Sequence, residues 1–221
     1  MPIIVIVGAG PGLGMEIARA FGRRGFGVAL LARDAAKLET LVEKLGAEGI
    51  VSAGFTADIL QPDTVTQAFI RIKQRFGAID VLEFSPVDRE MDAVGLFEVT
   101  PKNLQPHLDF YVHGAIHCVR QVVDDMIAAG SGTILVTTGG GSITPVPSLA
   151  NINLAASGLR NWVLNLHNVL KPKGVYAAHV AISTWIGGGH PDAAADVIAN
   201  RYVELYETRI EPELNHLALD A

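Results

Sequence analysis

Ile3-Ile4-Val5-Ile6-Val7-Gly8-Ala9-Gly10-Pro11-Gly12-Leu13-Gly14 decides how the rest of the chain is read. Five β-branched residues in a row suit a strand buried on both faces. Glycines at alternate positions then lead into Leu13–Arg24, whose apolar spacing is helical. The spacing G-x-G-x-x-G fails in both registers, because its third glycine falls on Leu13 or on Met15. The spacing G-x-x-x-G-x-G fits at Gly8, Gly12 and Gly14. In either pattern, residues without Cβ let the backbone turn tightly and approach a pyrophosphate. The helix that follows offers free N–H groups and the positive end of its dipole. Gly8, Gly12, Leu13 and Gly14 are therefore candidate cofactor-binding residues. The plainer alternative is a glycine-rich turn that closes a strand–helix unit and holds nothing.

Outward from this stretch, short apolar runs alternate with helical ones. Strands are predicted over Ile3–Val7, Gly27–Ala32, Val51–Thr56, Asp80–Phe84, Thr133–Thr138 and Val175–Ile182. Helices are predicted over Leu13–Arg24, Asp34–Leu45, Pro62–Phe76, Pro101–Ala129, Ala155–Leu170 and Pro191–Tyr206. Leu214–Leu219 alternates and is predicted as an added strand. Pro62, Pro101 and Pro191 stand where helices should open, a position at which the missing N–H costs nothing. This alternation implies an α/β fold, a doubly wound parallel sheet of Rossmann type, in one domain over 1–221.

At the end of the second strand the chain reads Ala32-Arg33-Asp34. An NAD site wants an acid there for the ribose 2′-hydroxyl, whereas an NADP site accommodates arginine. Ala32 takes the acid's place and Arg33 follows it, which favours NADP over NAD. The alternative makes Arg33 a solvated loop charge and Asp34 the cap of the next helix.

The 221 residues are 49% hydrophobic and 18% charged, against about 25% charged in an average soluble protein, which excludes intrinsic disorder. The low charge also points to burial by self-association. Seventeen Lys+Arg against 23 Asp+Glu give a net charge of −6, disfavouring nucleic acid and anionic membranes as partners. Cys118, the one cysteine, forms no internal disulfide, and no apolar run nears the ~20 residues of a membrane span. A cytoplasmic protein with a small-molecule substrate is expected.

Over nearly its whole length the chain resembles the short-chain dehydrogenase/reductase family. The matching stretches are Val7–Gly14, Ala32–Glu39, Ala57-Asp58-Ile59, Ile79–Leu82, Gly132–Thr138 and Lys171–Val175. The resemblance implies strand order 3-2-1-4-5-6-7 and adenine contacts from Asp58 and Ile59. It also implies dimers or tetramers, and hydride transfer between NAD(P)(H) and a carbonyl or alcohol. Its catalytic tyrosine and lysine fall on Ile152 and Ala156, or, with the frame moved by two or three residues, on Ala150 and Leu154 or Leu149 and Asn153; its serine falls on Gly139 or Thr138, and its asparagine on Tyr111. No Tyr-x-x-x-Lys lies between Ser142 and Lys171. The family's Asn-Asn-Ala-Gly segment reads Phe84-Ser85-Pro86-Val87, and the turn after the sixth strand reads Ser183-Thr184-Trp185-Ile186. Ser85 and Ile186 are what those two segments offer a cofactor. Positioned acid–base catalysis contributes about 10²–10⁴-fold in rate, so any hydride chemistry needs another proton donor. Thr138 and Tyr111 are the catalytic candidates, with plain strand and packing roles as their alternatives.

Other features are weaker. His113 and His117 share a helix face but lack a third ligand, so no metal is expected. Asn161, Asn165 and Asn168 form a polar stripe, either an interface or solvent-facing. Gly187-Gly188-Gly189 reads as a lid hinge or a surface loop. Gly139-Gly140-Gly141 leaves an open floor or avoids a clash. Three functions stay open: an NADP-dependent oxidoreductase with a displaced proton donor, a nucleotide-binding pseudoenzyme, and a non-redox lyase or epimerase using His113 or Tyr111 as base.

Overall fold

The computed structural model describes residues 1–88 and 90–218. The first strand–helix units are β1 (Ile3–Val7), α1 (Leu13–Gly22), β2 (Gly27–Ala32), α2 (Ala35–Ala47), β3 (Ser52–Thr56) and α3 (Pro62–Phe76). After β4 (Val81–Phe84) come α4 (Pro101–His107), α5 (Gly114–Val119), α6 (Val123–Ala129) and β5 (Gly132–Gly139). The chain closes with α7 (Ala150–Leu170), β6 (Val175–Ser183), α8 (Ala195–Thr208) and β7 (Glu213–Leu217). The seven strands form one sheet in the order β3-β2-β1-β4-β5-β6-β7. Every neighbouring pair is parallel.

Side chains along a strand alternate between faces, so each half of the β1 run seeds a different core. Val5 and Val7 join residues of α3, α5, α6 and α7. Ile4 and Ile6 join those of α1, α2 and α8. All five residues of β1 are buried. This double coverage explains why the strand reads as an unbroken apolar run rather than an alternating one. Among the described residues, no helix is long and apolar enough to cross a membrane.

The structure corrects several predicted boundaries. The helix predicted over Pro101–Ala129 is three helices. Pro106 lies inside α4, where it has no N–H to give the preceding turn, and a π-helical turn follows over Leu108–His113. At the end of α5, Gln121 and Val122 donate to Cys118 and Val119, three residues back, and this tightening ends the helix. The helix predicted from Ala155 begins at Ala150, because Asn151 ties an extra turn into its surroundings. Pro191 opens only a short 3-10 turn, and the extended residue Ala194 separates that turn from α8. The added strand forms over Glu213–Leu217; Leu219 lies outside the described residues.

Candidate functional site

The carboxyl ends of the central strands carry the candidate site, as in other open parallel sheets. Leaving β1, the N–H groups of Gly8 and Ala9 both donate to Leu31 O, at 2.9 and 3.1 Å, and pull the turn toward β2. Gly8 has φ +90°, and a Cβ there would overlap Pro86 Cα and lie 2.6 Å from Pro86 N. Glycine is required at this position twice over, by backbone angle and by close approach. A Cβ on Gly14 would sit 3.3 Å from Ala9 Cα, so α1 is seated tightly on the loop. Gly12 precedes α1 without any side-chain cap, and open space surrounds the position a Cβ would take. The loop therefore combines a tight turn, an uncapped helix start and room beside it. A dinucleotide pyrophosphate fits that combination.

Beyond β2, Asp34 is a helix cap: its Oδ1 accepts from Lys37 N at 3.1 Å, which holds its carboxyl below the usual range. Arg33 projects outward, and its Nη2 lies 3.2 Å from Asp88 Oδ2. Asp88, in the loop after β4, escaped the sequence reading because nothing local to it marks the partnership. Asp58 turns its own loop, with Oδ1 accepting from Leu60 N at 3.0 Å. Ile59 is buried against Gly114, where an added Cβ would stand 3.1–3.4 Å from it.

At the end of β4, Ser85 N donates to Val7 O at 3.0 Å. Ser85 Oγ donates to Glu83 Oε2 at 3.0 Å. Glu83 Oε1 accepts from Thr137 Oγ1 at 3.3 Å, and Thr137 in turn lies 2.7 Å from Tyr202 OH. Glu83 is fully buried, and loss of water pushes its carboxyl up to about 8, so it is neutral at pH 7. A strand position among apolar neighbours gave no sign of this protonated acid.

Tyr111 occupies the π-helical turn, stacked on His107 with ring centroids 6.4 Å apart and planes 6° apart. Burial, and then the charge of Asp88, push its phenol above the ordinary range, which keeps the proton on it. On α7, Ile152 is half-buried and Ala156 buried. Between these two helices, Asn151 accepts from Val94 N at 3.1 Å and donates to Asp92 O at 2.9 Å. The loop after β4 is thus laced to the start of α7.

Thr138, at the end of β5, is deeply engaged. Its Oγ1 lies 2.8 Å from both His179 Nε2 and Ser142 Oγ. His179 Nδ1 is 2.9 Å from Glu213 Oε1, and Arg160 grips both oxygens of Glu213, at 2.6 and 2.9 Å. The neighbouring glycines divide between the two roles weighed for them. Gly139 faces open space, whereas a Cβ on Gly140 or Gly141 would overlap Ser183 or Asn153. Sequence reasoning missed Ser142, His179 and Glu213. The resemblance assigns no role to those positions, and 34 residues separate His179 from Glu213.

The remaining candidates lie apart from this cluster. His113 pairs with Asp109 at 2.9 Å, and His117 faces Ile59 O at 3.5 Å. Among the described residues, no three His, Cys, Asp or Glu side chains are grouped to hold a metal. Asn161, Asn165 and Asn168 face outward. Ile186 sits in the loop after β6, beside the exposed Trp185, and Gly187 N donates to Ala193 O at 2.9 Å to fold that loop back.

A family model described as short chain dehydrogenase matches residues 2–185. A very-long-chain 3-oxoacyl-CoA reductase of Aspergillus clavatus is 27% identical over 173 residues, covering 77% of this chain. The chain spans about half of that relative's length, 50%. An A-factor type gamma-butyrolactone 1'-reductase of Streptomyces virginiae is 28% identical over 190 residues, covering 80% of this chain and 66% of the relative. The crystal structure of L-sorbose reductase from Gluconobacter frateurii, complexed with NADPH and L-sorbose, superposes with a TM-score of 0.86 at 18% identity. That match covers 100% of this chain and 97% of the other, and at this identity it bears on fold alone.

Proposed function

The chain belongs to the short-chain dehydrogenase family, matched over residues 2–185, and on that premise we propose that it is an NADP(H)-dependent oxidoreductase interconverting a small carbonyl compound and its alcohol. One observation carries the reading. The uncapped glycine cradle at Gly8, Gly12 and Gly14 shares its end of the sheet with Arg33, which lies just past β2 with its side chain largely in solvent. Gly8, Gly12, Leu13 and Gly14 would hold the pyrophosphate through backbone amides. Arg33 would grip the 2′-phosphate, and a guanidinium fork suits that group. Asp58 and Ile59 would flank the adenine, with Ser85 and Ile186 toward the nicotinamide. When bound, the cofactor supplies or takes the hydride. The NADPH and NADP named with similar structures agree with this choice over NAD.

The proton must come from groups other than a tyrosine–lysine pair, since Ile152 and Ala156 carry none. Thr138 is the polar group at the family's serine position. Tyr111, stacked and held protonated, is a packing residue at the cleft's edge. The chain's own Ile152 and Ala156 also support a second reading, a nucleotide-binding protein without hydride transfer. Fluorescence titration with NADPH and NADH, followed by NADPH oxidation with aldehydes, ketones and quinones, separates the two. Tight NADPH binding with turnover supports the oxidoreductase. Tight binding without turnover supports the second reading, and no NADPH binding at millimolar concentration overturns both. The low charged fraction adds self-association to the proposal, and the family resemblance makes it a dimer or tetramer, which light scattering tests.

A further inference from the structure

The oxidoreductase reading says where a substrate's carbonyl must lie, and the surroundings of that place say what the rest of the substrate is made of. Resting on that reading, we propose that the substrate is an uncharged carbonyl compound with an apolar body, held by an apolar rim on the loops that follow β4, β5 and β6.

The strands β1, β4, β5 and β6 are successive neighbours in the sheet, so the loops leaving the last three stand side by side next to the glycine cradle of β1. Contacts join them. The turn Leu96–Glu98 packs against the turn Pro147–Leu149, and Ala150 N donates to Val94 O at 2.9 Å. A Cβ on Gly140 would run into Ser183, the last residue of β6. Gly139, at the end of β5, faces open space. Under the cofactor reading the reacting end of the nucleotide lies toward Ser85 and Ile186. The body of a substrate brought to that end therefore meets these loops.

The loops carry apolar groups into water. Phe97 is 100% exposed and Trp185 81%, and Leu96, Val146, Leu149 and Ile186 are exposed with them. Built turns hold the two aromatic rings there. Glu98 N donates to Gly95 O at 3.1 Å, and Asn103 Nδ2 to Glu98 O at 2.8 Å. Gly188 N donates to Trp185 O at 2.8 Å, and Thr184 Oγ1 to Ala218 O at 2.8 Å. Single exposed apolar side chains are ordinary, but six on three adjoining loops make a surface that gains by being covered.

Charge narrows the occupant. Stretches 139–150 and 184–191 hold no Asp, Glu, Lys or Arg, and 85–100 holds four carboxylates against one basic residue, Arg89. An anionic substrate would bury its charge among apolar groups and face those carboxylates, which costs on both counts. A neutral apolar body suffers neither. A second copy of the chain or a lipid surface seated on the rim would cover the approach to the site, so the substrate is the occupant that fits a working enzyme.

Complexes with the oxidised cofactor test this without turnover, because NADP⁺ cannot reduce a ketone. The Kd values of 2-hexanone, 2-octanone and 2-decanone are read from Trp185 emission in a Trp162→Phe background. The expected result is a blue shift at saturation and a Kd that falls about two- to fourfold per added methylene. The probe 9-oxodecanoate, the chain of 2-decanone ending in a carboxylate, should bind at least about tenfold more weakly. Phe97→Ser and Leu149→Ser alter exposed positions outside the core and should flatten the series, leaving the Kd of 2-hexanone and of NADP⁺ within about twofold. Ile70→Ser, at an exposed apolar position of α3, should leave the series unchanged. A Kd independent of chain length, equal binding of the carboxylate, or a slope kept in both rim variants overturns the proposal while the cofactor reading stands. Loss of self-association in Phe97→Ser with the ketone series unchanged also overturns it, and gives the rim to a second copy. If NADP⁺ does not bind, the cofactor reading falls, and the same series on the free protein decides the rim.

Discussion

Replacing Asp88 by asparagine should tighten NADPH binding and leave NADH binding unchanged. Arg33 Nη2 and Asp88 Oδ2 are 3.2 Å apart, with the Arg33 side chain 56% exposed and that of Asp88 18%. At that distance two unit charges attract by about 1.3 kcal/mol in bulk water and by about 5 kcal/mol at an effective dielectric near 20. The exposure of Arg33 puts the pair close to the aqueous limit, where measured net values run about 0–1 kcal/mol. A 2′-phosphate must take Arg33 from Asp88 and also bear the carboxylate's repulsion. Asp88→Asn should therefore lower the NADPH Kd by about three- to tenfold. Arg33→Ala removes charge-assisted hydrogen bonds worth about 1.5–3 kcal/mol, so NADPH should weaken by about 10- to 150-fold. Trp162 and Trp185 supply emission for the titration. Raising ionic strength from about 0.05 to 0.3 M should shrink the Asp88 effect, because the pair is partly screened. If the ratio of NADH to NADPH Kd is the same in Arg33→Ala as in wild type, Arg33 does not read the phosphate and the assignment fails.

Gly8→Ala combines a left-handed backbone with a Cβ driven into Pro86, and should cost about 2–5 kcal/mol. In calorimetry that is a fall in Tm of about 5–15 °C; an unchanged Tm refutes the packing argument. Burial pushes the Glu83 carboxyl up to about 8 in the fold, against 4.5 for a glutamate in water. Its contribution is intact below pH 4.5 and is lost as pH rises toward 8, because the unfolded chain releases the proton first. Glu83→Gln should match wild type in Tm at pH 4.5 and exceed it at pH 8; equal pH dependence would show that the acid is not protonated. Cys118 is buried and its thiol pushed well above the usual range. It should resist a disulfide reagent in the native protein and react on unfolding, whereas rapid native labelling would place it at the surface.

The strands and the phosphate loop were legible because they are local. A β-branched run, a glycine turn and a helical period each announce themselves within a dozen residues. The sheet order came from the family resemblance, since periodicity says nothing about which strands are neighbours. What stayed hidden is long-range. Asp88 meets Arg33 across 55 positions of sequence, and Thr138 meets His179 across 41. His179 reads locally as one polar residue in the apolar run of β6, and Glu213 as a charge near an edge strand. Only the register that sets His179 beside Glu213 makes them a pair. The π-helical turn is likewise a matter of backbone register that side-chain spacing does not encode, and it placed Tyr111 by geometry that no motif foretold.

Gly139, Gly140 and Gly141, at the end of β5 and in the turn that follows, are unequal in the room around them. A Cβ on Gly140 would run into Ser183 as far as its backbone and one on Gly141 into the amide end of Asn153, but Gly139 adjoins empty space. A Cβ at Gly139 would meet no other atom within 4 Å, so a small side chain such as serine fits there without repacking. A hydroxyl can thus be installed at the carboxyl end of β5 by one substitution, with nothing nearby that must first make way.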